Sequence, residues 1–146
     1  MSITAPGDSM TDTAWSQASR LAMAGAGVLD GATLARLDAM AADEMGELTV
    51  GVVRVDDTGV VGAINEAALD LAGVRLEHAL GRNFFTELAP CTNNRLFYGM
   101  FRRGVAAGEM HLVFFYALTY KLSPTEVKVQ LFRSGPDSNW ILIRRK

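Results

Sequence analysis

The chain has 146 residues, of which 49% are hydrophobic and 21% are charged, and its formal net charge at pH 7 is −2. This length and near-average composition indicate one globular domain with a substantial core. The weak negative charge argues against a general nucleic-acid-binding surface, and the single cysteine, Cys91, excludes a disulfide framework. With only two histidines, His78 and His111, a metal site is not expected.

The N-terminus lacks both the charged start and the continuous apolar run of a secretory signal. No apolar stretch approaches the roughly 20 residues that a membrane-spanning helix needs. We therefore expect a cytoplasmic protein without membrane contact. Residues 1–30, which are rich in Ser, Thr, Ala and Gly, are expected to form a partly ordered N-terminal extension, and residues 31–146 the folded domain.

Apolar residues at helical spacing predict a helix over residues 33–45, capped by Thr33 and ended by Gly46. Two segments rich in β-branched residues, 48–55 and 60–64, flank a glycine-containing turn and predict a β-hairpin. Asn65 is a good N-cap for a short helix over residues 66–72, which Gly73 ends. Residues 74–92 are expected to form short helical turns around a loop that carries Cys91.

An apolar stripe predicts a second long helix over residues 93–107, ended by Gly108. The rest of the chain alternates as strands do, and three strands are expected over residues 110–122, 127–133 and 140–145. The sequence therefore predicts an α+β domain. Its five strands form one antiparallel sheet with helices on one side and an N-terminal helical extension.

Several short motifs support a more specific assignment. They are GRNFF at 81–85, APCT at 89–92, FYG at 97–99, and Pro124 followed by VKV at 127–129. In this order and register they resemble the photoactive yellow protein family, which has the PAS fold. The resemblance runs from about residue 33 to the end of the chain and implies a small sensor or signalling protein that responds to light.

In that family the cysteine of the APCT segment carries p-coumaric acid, a 4-hydroxycinnamyl group, as a thioester. The resemblance therefore implies that Cys91 is the chromophore attachment site. The positions that it places around the pigment are Val53, Ile64, Ala68, Ala72, Val74, Phe84, Ala89, Pro90, Thr92, Tyr116, Leu118, Tyr120 and Leu122.

The chain departs from the family at the far end of this pocket. The Tyr and Glu that hold the ionised phenol in the family fall on Ile64 and Ala68, and the supporting Thr falls on Ala72. The pocket-closing Arg falls on Val74, next to Arg75. A buried phenolate would have no strong donor there, so a bound p-coumaryl group should stay protonated and absorb in the near ultraviolet.

Other interpretations remain open at this point. The pocket could hold an apolar ligand on Cys91, or be collapsed, so that the domain works only as a protein interaction module. In that case the helix over residues 33–45 and the N-terminal extension offer a surface for a homodimer. A nucleophilic pair of Cys91 with His111 would instead indicate an acyl-handling enzyme. The resemblance also implies a downstream signalling protein as the partner of this chain.

Overall fold

The computed structural model describes residues 27–119 and 125–145. Most of the expected N-terminal extension, together with the pocket positions Tyr120 and Leu122, lies outside the described residues. The helical segments, in chain order, are α1 Gly31–Arg36, a 3₁₀ turn Leu37–Ala39, α2 Ala42–Glu47, α3 Glu66–Ala72, α4 Leu76–Ala79, a π-helical turn Phe84–Leu88, a 3₁₀ turn Pro90–Thr92, and α5 Phe97–Ala107.

The strands form one antiparallel sheet. They are β1 Gly51–Val55, β2 Val61–Ile64, β3 His111–Leu118, β4 Thr125–Gly135 and β5 Ser138–Arg145. The strand order is β2-β1-β5-β4-β3, so the last strand of the chain lies in the centre and β3 forms an edge. This arrangement confirms the predicted α+β architecture with a five-stranded antiparallel sheet.

Strand alternation divides the core between the two faces of the sheet. On one face, Val53, Ile141 and Ile143 pack with the apolar side chains of α3, the π-helical turn and α5. On the other face, Val52 and Trp140 pack with residues of α1, the first 3₁₀ turn and α2. The segment before β1 therefore covers the face opposite the other helices.

The predicted helix over residues 33–45 is broken. Asp30, rather than Thr33, caps α1, and its side chain accepts a hydrogen bond from the Thr33 amide. Met40 and Ala41 take extended backbone angles before α2 begins. Asp38 explains part of the break, because its carboxylate accepts hydrogen bonds from the β4–β5 hairpin, and such tertiary contacts override helix propensity.

The helix ends predicted later in the chain are confirmed. Asn65 caps α3 through a hydrogen bond from the Ala68 amide, and Gly73 ends it in the left-handed conformation. Gly108 ends α5 in the same way. Helix α5 begins at Phe97 rather than at residue 93, because the Asn94 side chain accepts a hydrogen bond from the Phe97 amide just ahead of the first turn.

The candidate ligand pocket and the Cys91 loop

A small apolar cavity lies between α3, the π-helical turn and the sheet. Its volume is about 20 Å³, enough for about one water molecule. Its lining consists only of apolar side chains, which are Val53, Ile64, Ala68, Leu71, Ala72, Phe84, Leu88, Ala89, Leu118 and Ile143.

The side chain of Asn65 fixes the wall formed by α3. Its Oδ1 atom accepts hydrogen bonds from the amides of Val52 at 2.8 Å and Ala68 at 3.1 Å. Its Nδ2 atom donates to the carbonyl oxygens of Met45 and Val50, both at 2.9 Å. All four hydrogen bonds are buried, so one amide joins β1, α2 and α3 and sets where Ile64 and Ala68 meet the cavity.

Close packing at Gly51 brings α3 directly onto β1. A Cβ atom added to Gly51 would lie 3.2 Å from the Cα atom of Ala68. Small residues at both positions therefore allow the helix to approach the strand, and this closeness helps to keep the cavity small.

The loop that carries Cys91 is held at both ends by side chains. Asn83 accepts hydrogen bonds from the amides of Phe85 and Thr86 and donates to the Thr58 carbonyl at 2.8 Å, so it anchors the start of the π-helical turn. At the other end, the buried Thr92 hydroxyl donates to the Ala89 carbonyl at 2.7 Å. The 3₁₀ turn between them presents Cys91 at the edge of the core.

Cys91 is half-buried and packs against the apolar core on the α3–α5 side. Its carbonyl oxygen accepts a hydrogen bond from the Tyr116 hydroxyl at 2.5 Å and one from Asn94 Nδ2 at 3.2 Å. Asn94 Nδ2 also donates to the Tyr116 hydroxyl at 2.5 Å. This three-residue cluster ties the cysteine loop to β3.

Seven of the residues expected around the pocket line the cavity, namely Val53, Ile64, Ala68, Ala72, Phe84, Ala89 and Leu118. Val74 packs against the same core without lining the cavity, and Pro90 is exposed. Thr92 and Tyr116 lie by the cysteine loop, where they make the hydrogen bonds described above. Leu71, Leu88 and Ile143 also line the cavity although the resemblance did not point to them.

Neither Cys91 nor Tyr116 lines the cavity itself, and the polar character of the cysteine loop differs sharply from that of the cavity. The cysteine end carries the Tyr116 hydroxyl and the Asn94 amide, whereas the lining at Ile64, Ala68 and Ala72 offers only carbon atoms. The described side chains that line the cavity therefore include no hydrogen-bond donor for a buried anion. Four of the described acidic groups have a pKa lowered by hydrogen bonds that outweigh the opposing effect of burial, and none of them lines the cavity; they are Asp30, Asp38, Asp56 and Asp57.

His111 does not pair with Cys91. The ring nitrogen Nε2 of His111 lies 2.9 Å from Nε2 of Gln130, and its ring packs edge-on against Phe132. Neighbouring Leu112 packs on the α3–α5 side with Cys91, so alternation along β3 puts His111 on the opposite face. The nucleophilic pair considered from the sequence is thus not formed.

No family model matches the chain. Among the described residues, no helix is long and apolar enough to cross a bilayer. The photoactive yellow protein of Rhodothalassium salexigens is 39% identical over 103 residues, which cover 70% of this chain and 82% of that protein. That of Halochromatium salexigens is 35% identical over 107 residues, covering 73% and 86%.

Comparison with solved structures indicates the same family and the same fold. The photoactive yellow protein domain of the sensor histidine kinase Ppr from Rhodospirillum centenum superposes with a TM-score of 0.72 at 36% identity, covering 75% of this chain and 97% of that one. The PAS domain of nitrogen regulation protein NR(II) from Vibrio parahaemolyticus, at 10% identity and a TM-score of 0.57, shares the fold. The sheet order, the motifs around Cys91 and these identities together show that the chain belongs to the photoactive yellow protein family of PAS sensor domains.

Proposed function

We propose that this protein is a PAS sensor whose ligand is attached to Cys91 as a thioester and is neutral where it meets Ile64 and Ala68. The observation that carries the proposal is the contrast between the polar cluster at the cysteine loop and the wholly apolar cavity lining. The polar cluster suits the carbonyl end of an acyl group, and the apolar lining suits an uncharged tail.

The residues fit p-coumaric acid at one end only. Cys91 supplies a thiol, and the hydroxyl of Tyr116 holds the backbone of its loop. At the other end, desolvation by apolar side chains raises the pKa of a phenol and keeps it protonated. The lining does not fit an ionised phenolate, so the ordinary pigment state of the family is not proposed for this chain.

Attachment needs an activated acyl donor, such as a thioester or anhydride of the acid. The Cys91 sulfur attacks the carbonyl carbon, a new carbon–sulfur bond forms, and the bond to the leaving group breaks. The leaving group takes the electron pair, and the thiol proton passes to it or to water. No oxidant or reductant is consumed.

A change in the attached ligand would reach the surface through the sheet. The inner side chains Val53 and Ile143 line the cavity, and their strand neighbours Val52 and Leu142 contact the segment before β1 on the other face. The Rhodospirillum centenum relative is a domain of a sensor histidine kinase. We propose that this chain, too, passes its signal to a protein partner in the cytoplasm, through the segment before β1.

A second candidate is a ligand-free interaction module. The observation in its favour is the cavity volume of about 20 Å³, which leaves no room for an aryl group unless side chains move. In this case the segment before β1 would bind a second copy or another protein while Cys91 stays a free thiol.

Intact-mass analysis of the folded chain after incubation with activated esters of p-coumaric acid and cinnamic acid separates these candidates. The proposal predicts one adduct with either ester, because the pocket makes no use of the phenol hydroxyl, and none in Cys91→Ser. If folded protein gains no adduct while urea-unfolded protein does, the cavity does not accept the ligand, and the interaction module is the better assignment.

A further inference from the structure

A second, larger groove lies outside the cavity, where α3 crosses the ends of β1 and β5. Its volume is about 310 Å³, at the lower end of the range for small-molecule sites. Its lining residues are Thr49, Gly51, Ala67, Asp70, Leu71, Ile143, Arg144 and Arg145. We propose that this groove binds a small organic monoanion, a carboxylate with an apolar tail, independently of any bond to Cys91.

Charge is the first argument. The guanidinium groups of Arg144 and Arg145 and the carboxylate of Asp70 give the groove a net charge of about +1. No hydrogen bond or ion pair joins either guanidinium to another side chain in residues 27–119 and 125–145. A monoanionic carboxylate matches this charge and the planar geometry of an arginine better than a phosphate, which carries nearly two charges.

Strand geometry identifies Arg145 as the main partner. Ile143 and Arg145 are two residues apart on β5 and so lie on the same face, the one that α3 covers. Arg144 lies on the other face, opposite Lys128 of β4. Arg145 can therefore hold a carboxylate over the groove, while Arg144 adds charge at its rim.

The apolar floor is the second argument. Leu71 of α3 and Ile143 of β5 line both this groove and the inner cavity. Gly51 of the groove is in close contact with Ala68 of the cavity. A tail lying on Leu71 and Ile143 would bury apolar surface and would touch the wall that separates it from Ile64 and Ala68. A ligand bound in the groove would therefore change the packing of the side chains that line the cavity.

The test is an ¹⁵N–¹H NMR titration of the full chain carrying Cys91→Ser, so that no thioester can form and a failure of the thioester proposal cannot affect the result. The probes are octanoate, 1-octanol and octylammonium. We expect saturable shifts at the amides of Gly51, Leu71 and Ile143 with octanoate, and binding at least three times weaker for the other two probes.

Three variants sharpen the test. Arg145→Gln should weaken octanoate binding about three- to fivefold, the size of one exposed ion pair. Asp70→Asn should strengthen it, because it removes the like charge. Arg95→Gln, which loses the same charge on an exposed residue that does not line the groove, should leave it unchanged.

Several results would overturn the proposal. They are the absence of saturable shifts, shifts that map away from the groove, equal binding of the three probes, and preference for octylammonium. Insensitivity to both Arg145→Gln and Asp70→Asn would also overturn it. The spectra themselves show whether each variant is folded.

Discussion

The hydroxyl of Tyr116 donates a 2.5 Å hydrogen bond to the carbonyl oxygen of Cys91, and so β3 directly fixes the loop that carries the only cysteine of the chain. Asn94 completes the cluster by donating to both atoms. The thiol therefore lies on a loop whose backbone is fixed by hydrogen bonds from Tyr116 and Asn94.

Removing this hydroxyl should loosen the loop. Tyr116→Phe is expected to lower the free energy of unfolding by about 1 kcal/mol, the usual net value of one hydrogen bond. It should also raise the rate at which Cys91 reacts with an alkylating reagent several-fold, because the loop opens more often. Urea unfolding and timed mass spectrometry measure the two effects. Tyr98→Phe is the control, since its hydroxyl makes only a 3.3 Å hydrogen bond to the Thr58 carbonyl. Equal alkylation rates in both variants would contradict the role given to Tyr116.

Asn65 is expected to be the most sensitive polar residue near the cavity. Asn65→Ala leaves the buried amides of Val52 and Ala68 without their side-chain acceptor. It also removes hydrogen bonds to the carbonyls of Val50 and Met45, of which Met45 keeps a bond from the Leu48 amide. It should lower the free energy of unfolding by roughly 2–4 kcal/mol. Asn65→Asp should also destabilise, because it keeps the acceptor but loses both donors and introduces a buried charge. The exposed Asn93→Ala is the control. Chemical denaturation checks this, and a loss below 1 kcal/mol for Asn65→Ala would contradict the account.

Much of the fold was predictable because local chemistry and tertiary packing agree. Asn65, Gly73 and Gly108 mark helix ends by capping chemistry that needs no distant partner. The double role of Asn65 was not predictable, because its donors reach Met45 and Val50, whose positions depend on the fold. In the same way, Asp38 interrupts a helical pattern through bonds to the β4–β5 hairpin, about 100 residues away in sequence.

In the candidate site, too, some residues were predictable from the sequence and others were not. The resemblance pointed to positions such as Ile64 and Ala68 because the motif around Cys91 fixes the register. It did not point to Leu71 of α3 or to Ile143 of β5, which also line the cavity. Alternation along β5 places Ile143 on the inner face with Ile141, and this is the one sequence signal that could have identified it.

The bonds of Asp38 predict a dependence on pH. Partial burial alone would raise the pKa of Asp38. Hydrogen bonds from Ser134, Ser138 and Trp140, with the charge of Arg54, outweigh it and lower this pKa. Because the folded-state pKa lies below the unfolded value of about 3.9, the stabilisation is complete above that pH and is lost as the pH falls through the folded-state pKa.

Asp38→Ala should accordingly be less stable than the parent by about 1 kcal/mol at pH 7, a modest value because the residue is largely exposed. The difference should shrink as the pH is lowered below about 4. Urea unfolding at pH 7 and at acid pH measures it. Glu47→Ala, which removes an exposed carboxylate at the end of α2, is the matched control variant. A difference that stays constant with pH would show that the Asp38 charge does not hold the 3₁₀ turn Leu37–Ala39 to the hairpin.

The apolar end of the cavity predicts the colour of a bound p-coumaryl group. Ile64→Tyr with Ala68→Glu supplies two donors where the lining has none, and should move the absorption band to longer wavelength by favouring the phenolate. Ile64→Phe with Ala68→Leu adds bulk without donors and should leave the band in the near ultraviolet. Identical spectra of the two double variants would mean that these positions do not contact the ring.

The most direct test of the whole account is the absorption spectrum of the purified parent chain after incubation with an activated p-coumaric ester, beside Cys91→Ser. We expect a new near-ultraviolet band that is absent from the variant, showing a thioester at Cys91 with a protonated phenol. A band in the blue would contradict the neutral pocket formed by Ile64 and Ala68. No band, with the thiol still open to alkylation, would contradict the ligand-binding function itself.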